Sequence, residues 1–127
     1  MALTMLEATP VTTPVIFTLA GVKAGETATI ERLPTEHATI QDAFAANEWR
    51  AVARTQKHYA AFENNARLEA MRSAHSGWDA DFAWVRWPIL NPDTRLALMG
   101  NPFTGEITAR GYEGGAPATR TLILHEL

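Results

Sequence analysis

Residues 40–74 read IQDAFAANEWRAVARTQKHYAAFENNARLEAMRSA, a run with neither glycine nor proline. Alanine dominates it, with Arg, Glu and Gln in support, and these residues favour helix over other backbone states. At 100° per residue, Phe44, Ala51, Val52, Tyr59, Phe62, Ala66 and Ala70 fall on one face about 100° wide. Thr35 or Thr39 is available as an N-cap, and Thr39-Ile40-Gln41-Asp42 has the spacing of a loose capping box. His75-Ser76-Gly77 supplies a stop, with Gly77 near the C′ position. The run therefore predicts a long central helix. Laid straight it would measure about 52 Å, against a diameter of roughly 36 Å for a compact domain of this size. Either the helix breaks at Asn64-Asn65, where the apolar set shifts to Leu68 and Met71, or its end projects onto a partner.

The flanking sequence predicts strands. Residues 1–14 carry Thr9-Pro10-Val11-Thr12-Thr13-Pro14, a composition that favours an extended N-terminal arm. Val15–Leu19 and Thr27–Leu33 read as two strands joined through Gly21–Glu26, with Pro34 ending the second. Beyond Gly77 come Phe82–Trp87, Arg95–Met99, Glu106–Tyr112 and Thr119–His125. They are separated by turns at Asn91-Pro92-Asp93 and at Gly100–Gly105 and by a loop at Glu113–Pro117. Short connections imply antiparallel neighbours. The expected architecture is an α+β fold over residues 15–127, an antiparallel sheet in ββ-α-ββββ order packed on the one long, straight or kinked, central helix.

Composition sets outer bounds. The chain has 127 residues, 46% hydrophobic and 20% charged, which is enough for one core without a metal or disulfide staple. Net charge is −3, so nothing global calls for nucleic acid or an anionic membrane. There is no cysteine, which removes disulfides, thiolate-ligated metals and thiol nucleophiles. The first positive charge is Lys23, leaving no basic segment for a signal peptide, and no apolar run approaches the ~20 residues of a membrane span. A cytoplasmic location, or an assembly made in the cytoplasm, is the expectation.

Several constellations carry chemistry worth weighing. Arg50, Arg54 and Lys57 stand at i, i+4 and i+7 on the expected helix, opposite the apolar stripe, with Arg72 on the same side. Such a stripe tracks phosphates or an acidic protein surface, or is a solvated face of an Ala-rich helix. Trp84, Arg86 and Trp87 lie in one expected strand. Alternation would put Trp84 with Arg86 and Val85 with Trp87, so one face would be core and the other an interface or a platform for a sugar or base, unless Trp78, Trp84 and Trp87 are all core with each indole N–H satisfied. His75, Asp79 and Asp81 are too few to specify a metal, and helix-end polarity explains them as well. Glu36, His37 and His58 have the chemistry of general acids or bases, but no nucleophile context accompanies them. Asn101-Pro102-Phe103 is turn chemistry first. Gly111, Gly114 and Gly115 lack the lysine and helix of a phosphate loop.

No catalytic or cofactor motif emerges, and no cofactor is expected. The expected class is a non-enzymatic interaction or assembly protein that binds a protein partner or forms a homo-oligomer. A small virion or tail subunit or a small inhibitor protein of a mobile element would fit. One alternative is a ligand binder or enzyme with a pocket between sheet and helix, lined by His58, Tyr59, Trp84 and Arg86. The other is a nucleic-acid binder using the basic stripe.

Overall fold

The computed structural model describes residues 1–42, 44–52, 63–74 and 81–125. The chain forms two compact units, Met1–Asn65 and Ala66–Leu127.

In the first unit, helix α1 (Ala2–Ala8) precedes strands β1 (Val15–Ala20), β2 (Thr27–Arg32) and β3 (His37–Ile40). The strands form an antiparallel sheet with β2 in the middle. From Ala28 to Arg32 every residue of β2 is buried, including Glu31 and Arg32. Alternation sends these residues to opposite faces. On one face, Arg32 Nη2 donates to the Thr9 carbonyl at 2.7 Å, and Thr39, opposite Ile30 in register, donates to Glu7 Oε1 at 2.6 Å. These two bonds hold α1 and its C-cap against the sheet. On the other face, Thr29 donates to the Asp42 carbonyl. Beside it the Glu31 carboxylate accepts the backbone N–H groups of Arg50 at 2.5 Å, Ala51 at 2.8 Å and Val52 at 2.8 Å.

The one long central helix does not form, and among the described residues the regular structure is mostly sheet with two short helices. Ile40 ends β3, residues 41, 42 and 44–52 have no regular structure, and helix α2 covers Asn64–Ala74. Thr39 is a strand residue and not a cap. Asn64-Asn65, expected as a break, is where α2 begins. Residues 53–62 of the expected helix, and the stop at His75–Gly77, lie outside the described residues. The physical reason is visible in the hydrogen bonds. A helix would send the N–H groups of residues 50–52 to carbonyls four positions back, whereas here they go to the Glu31 carboxylate. Asp42 Oδ1 accepts from Phe44 N at 2.7 Å, and the Arg50 guanidinium bonds both Asp42 Oδ2 and the Phe44 carbonyl. Helix propensity is worth a few tenths of a kcal/mol per residue. A charge-assisted bond contributes about 1.5–3 kcal/mol, so three of them on one buried carboxylate override it.

Residues 2–8, expected as part of an extended arm, are helical instead. The prolines start only at Pro10, and Thr9 leaves the helix with φ −78° and ψ 123°.

The second unit pairs β4 (Leu96–Asn101) with β5 (Glu106–Glu113). β5 also pairs with β6 (Ala116–Pro117) and β7 (Leu122–Leu124), all antiparallel. The strand expected over 119–125 is thus only three residues long. One face of this sheet carries Ala97, Met99, Thr108 and Tyr112. It packs on Phe82, Trp84, Val85, Ile89 and Leu90, with Met71 and Ala74 of α2 alongside. The strand expected over Phe82–Trp87 is absent. Phe82 has φ +57°, a left-handed geometry that no strand accommodates. The chain then turns on itself through bonds from Val85 N to the Phe82 carbonyl and from Leu90 N to the Arg86 carbonyl. Burying Phe82 and stacking the Arg110 guanidinium 5.8 Å from its ring offset that strain.

Candidate functional site

The other face of the second sheet defines the site. Register places Leu96 beside Gly111, Leu98 beside Ala109, and Gly100 beside Ile107. Across β5, Ala109 stands beside Leu122 and Ile107 beside Leu124. Residues opposite one another in an antiparallel pair share a face, so these eight positions form one surface. None is charged or polar. Leu96, Leu98, Ile107, Leu122 and Leu124 are each between 45% and 58% exposed. Isolated exposed leucines are ordinary, but five large aliphatic side chains side by side are not. The relief is regular. β5 contributes small residues, Ala109 and Gly111, along its middle, while β4 and β7 contribute leucines on either side. At Gly111 the surface is bounded by Thr119. Thr119 Oγ1 accepts the Gly111 N–H at 2.9 Å, and its methyl lies 3.0 Å from where a Cβ would stand.

The residues singled out from sequence fall elsewhere. Trp84 is buried in the core, its indole N–H directed at Met99 Sδ 3.3 Å away, and its ring 6.0 Å from that of Phe82. Val85 is buried next to it, while Arg86 and Trp87 are both exposed. The expected pairing of Trp84 with Arg86 and Val85 with Trp87 is therefore replaced by pairing of chain neighbours, because the segment turns instead of extending. Arg50 is not helical and bonds Asp42, while Arg72 sits on α2 and bonds Glu69 at 2.7 Å. A helical stripe running from Arg50 does not exist. Arg54, Lys57, His58, Tyr59, His75 and Asp79 lie outside the described residues. His37 opens β3 and is exposed, and the Glu36 carbonyl receives Arg32 Nη1 and Leu33 N. Asp81 gives its carbonyl to Arg110. Asn101 Oδ1 accepts Phe103 N and Thr104 N, a side-chain-capped turn of the kind its sequence implies. Among the described residues no three His, Asp or Glu side chains cluster as metal ligands, and no helix is long and apolar enough to cross a membrane.

The exposed face did leave a trace in the sequence. In an antiparallel sheet with one wet side, apolar and polar residues alternate. Leu96-Ala97-Leu98-Met99 and Leu122-Ile123-Leu124 do not alternate, which marks strands with two apolar faces.

A second feature lies in the first unit. A cavity of about 390 Å³ opens between α1 and the β1–β2 hairpin, lined by Met1, Leu3, Leu19, Ala28, Glu26 and Gln41 among others.

Comparison of the chain with protein-family models, with curated proteins and with solved structures finds no match in any of the three. The class to which the protein belongs is therefore argued from geometry alone.

Proposed function

We propose that the chain is a non-enzymatic interaction or assembly protein whose contact surface is the outer face of β4, β5 and β7. One observation carries this reading: five large aliphatic side chains lie half exposed, side by side on a single sheet face. Covering such a face contributes about 25 cal/mol for each Å² removed from water, and a sheet left this way invites association. The test is stability at low protein concentration. Leu98→Thr and Leu122→Thr keep strand propensity but remove the aliphatic surface. Each is expected to change the unfolding free energy by less than about 0.5 kcal/mol, as at other surface positions. A loss of about 2 kcal/mol or more would mean that the chain itself packs this face, and the reading would fail.

The cavity beside α1 supports a second reading, a small-ligand binder. Its volume lies within the roughly 300–1,000 Å³ typical of small-molecule sites. Its walls are mainly apolar, and Glu26 would favour a ligand with an amine. Small apolar amines should raise the melting temperature, and the rise should vanish in Ala20→Trp, which fills the mouth. If no such compound shifts the transition, this reading is discarded.

A further inference from the structure

We infer that the apolar face of the second sheet closes on the same face of a second copy of this chain, giving a two-fold symmetric dimer. The inference rests on the interaction reading above and names its partner. Three observations lead to it. The first is charge. Leu96, Leu98, Ile107, Ala109, Leu122 and Leu124 include no ionisable group, and Glu113, the charged residue that alternation puts on this face, stands at the end of β5, so the centres of two identical faces meet without opposing like charges. A two-fold interface requires this self-compatibility, because each patch meets its own image.

The second is relief. The leucines of β4 and those of β7 form two ridges about 9.6 Å apart, twice the spacing of neighbouring strands. Ala109 forms the floor of the trough between them, closed at one end by Ile107 and at the other by Thr119, which covers Gly111. A face holding both ridge and trough fits its own copy, a leucine of each ridge entering the trough of the other. A single helix, about 10 Å across with its side chains, would fill the trough and leave the outer flanks of both ridges wet.

The third is area. Five aliphatic side chains, each about half exposed, present on the order of 450 Å² of apolar surface, within the range of the largest patches on monomers. Two copies contribute about 900 Å² from these side chains alone. With Ala109, the glycines and the rim added, the total reaches the lower edge of stable interfaces, near about 1,200 Å². The dimer is accordingly weak, with Kd in the micromolar range.

Sedimentation equilibrium of the full chain from about 1 to about 300 µM tests this. The wild type is expected to pass from monomer to dimer across that range. Leu98→Lys, shown to be folded by an unchanged circular dichroism spectrum and melting temperature at low concentration, is expected to weaken association at least tenfold. A wild type that stays monomeric throughout overturns the inference. So does a Leu98→Lys variant that associates as well as the wild type, since pairing would then run through another surface such as the β7 edge. In either case the threonine substitutions decide separately whether the interaction reading survives. Unchanged monomer stability keeps the face open for a different partner, whereas destabilisation removes both proposals.

Discussion

Glu31 and Arg32 are adjacent in β2, opposite in charge, and buried on opposite faces of the sheet. Neither forms a salt bridge with the other. Glu31 gathers three backbone N–H groups of residues 50–52, and Arg32 gathers the carbonyls of Thr9, Leu33 and Glu36. Each charge thus positions a segment that has no regular structure of its own. Removing one partner of such a set leaves buried polar groups unsatisfied, which costs about 3–5 kcal/mol. Glu31→Ala is expected to lose that much in urea unfolding. Glu31→Gln is expected to recover only part of it, because its amide turns a donor toward N–H groups that need acceptors. A loss below about 1 kcal/mol for Glu31→Ala would show that the carboxylate is not what holds residues 50–52. None of this was legible in the sequence. Thr27–Leu33 reads correctly as a strand, but the groups that satisfy Glu31 are backbone atoms about twenty positions later, and backbone atoms carry no residue signature.

At the scale of elements, legibility followed side-chain shape. β1, β2 and β5 were readable because β-branched and aromatic residues stand between turn formers, and β4 because its apolar run lies between two turns. The long helix misled because even the best helix propensity is worth only a few tenths of a kcal/mol per residue, less than the bonds from residues 50–52 to Glu31. Phe82–Trp87 misled for a related reason: aromatic content suits a strand, yet the rings are buried here from a turning backbone. The β5–β6 connection illustrates a rule that did hold. Gly114 and Gly115 have φ of 58° and 79°, between paired residues Glu113 and Ala116, which is the two-residue hairpin turn that requires positive φ at both centres. Gly115→Ala should lower stability by about 1–2 kcal/mol. Gly100→Ala, at a strand position with no neighbour within 4 Å of the added carbon, should change it by less than about 0.5 kcal/mol. Equal effects in thermal unfolding would contradict the turn assignment. In the first unit, Arg32→Met should release α1 while sparing the sheet. Exchange of the Thr9 amide, which is bonded to the Met5 carbonyl, is expected to speed up about tenfold relative to that of Ile30. An unchanged ratio would mean that α1 is held by its apolar contacts alone.

For the whole molecule, the apolar patch on the second sheet is the feature that most needs an explanation. Charge, composition and the missing catalytic motifs point in the sequence to an interaction protein, with tryptophans and arginines as the candidate contacts. The tryptophans and arginines that suggested an interface include core and structural members, such as Trp84 and Arg50. The exposed surface is instead built from leucines that look like ordinary core in a linear reading. Only pairing register, which no composition reveals, puts Leu96, Leu98, Leu122 and Leu124 on one side. The absence of cysteine allows a direct test of this surface. Ala109→Cys places a single thiol on the floor of the trough, and Phe103→Cys places one at the exposed tip of the β4–β5 hairpin. The rate of thiol labelling would be followed as protein concentration rises. Burial of the face predicts that labelling at position 109 slows at least tenfold at high concentration while labelling at position 103 stays constant. A rate at position 109 that is independent of concentration would contradict it.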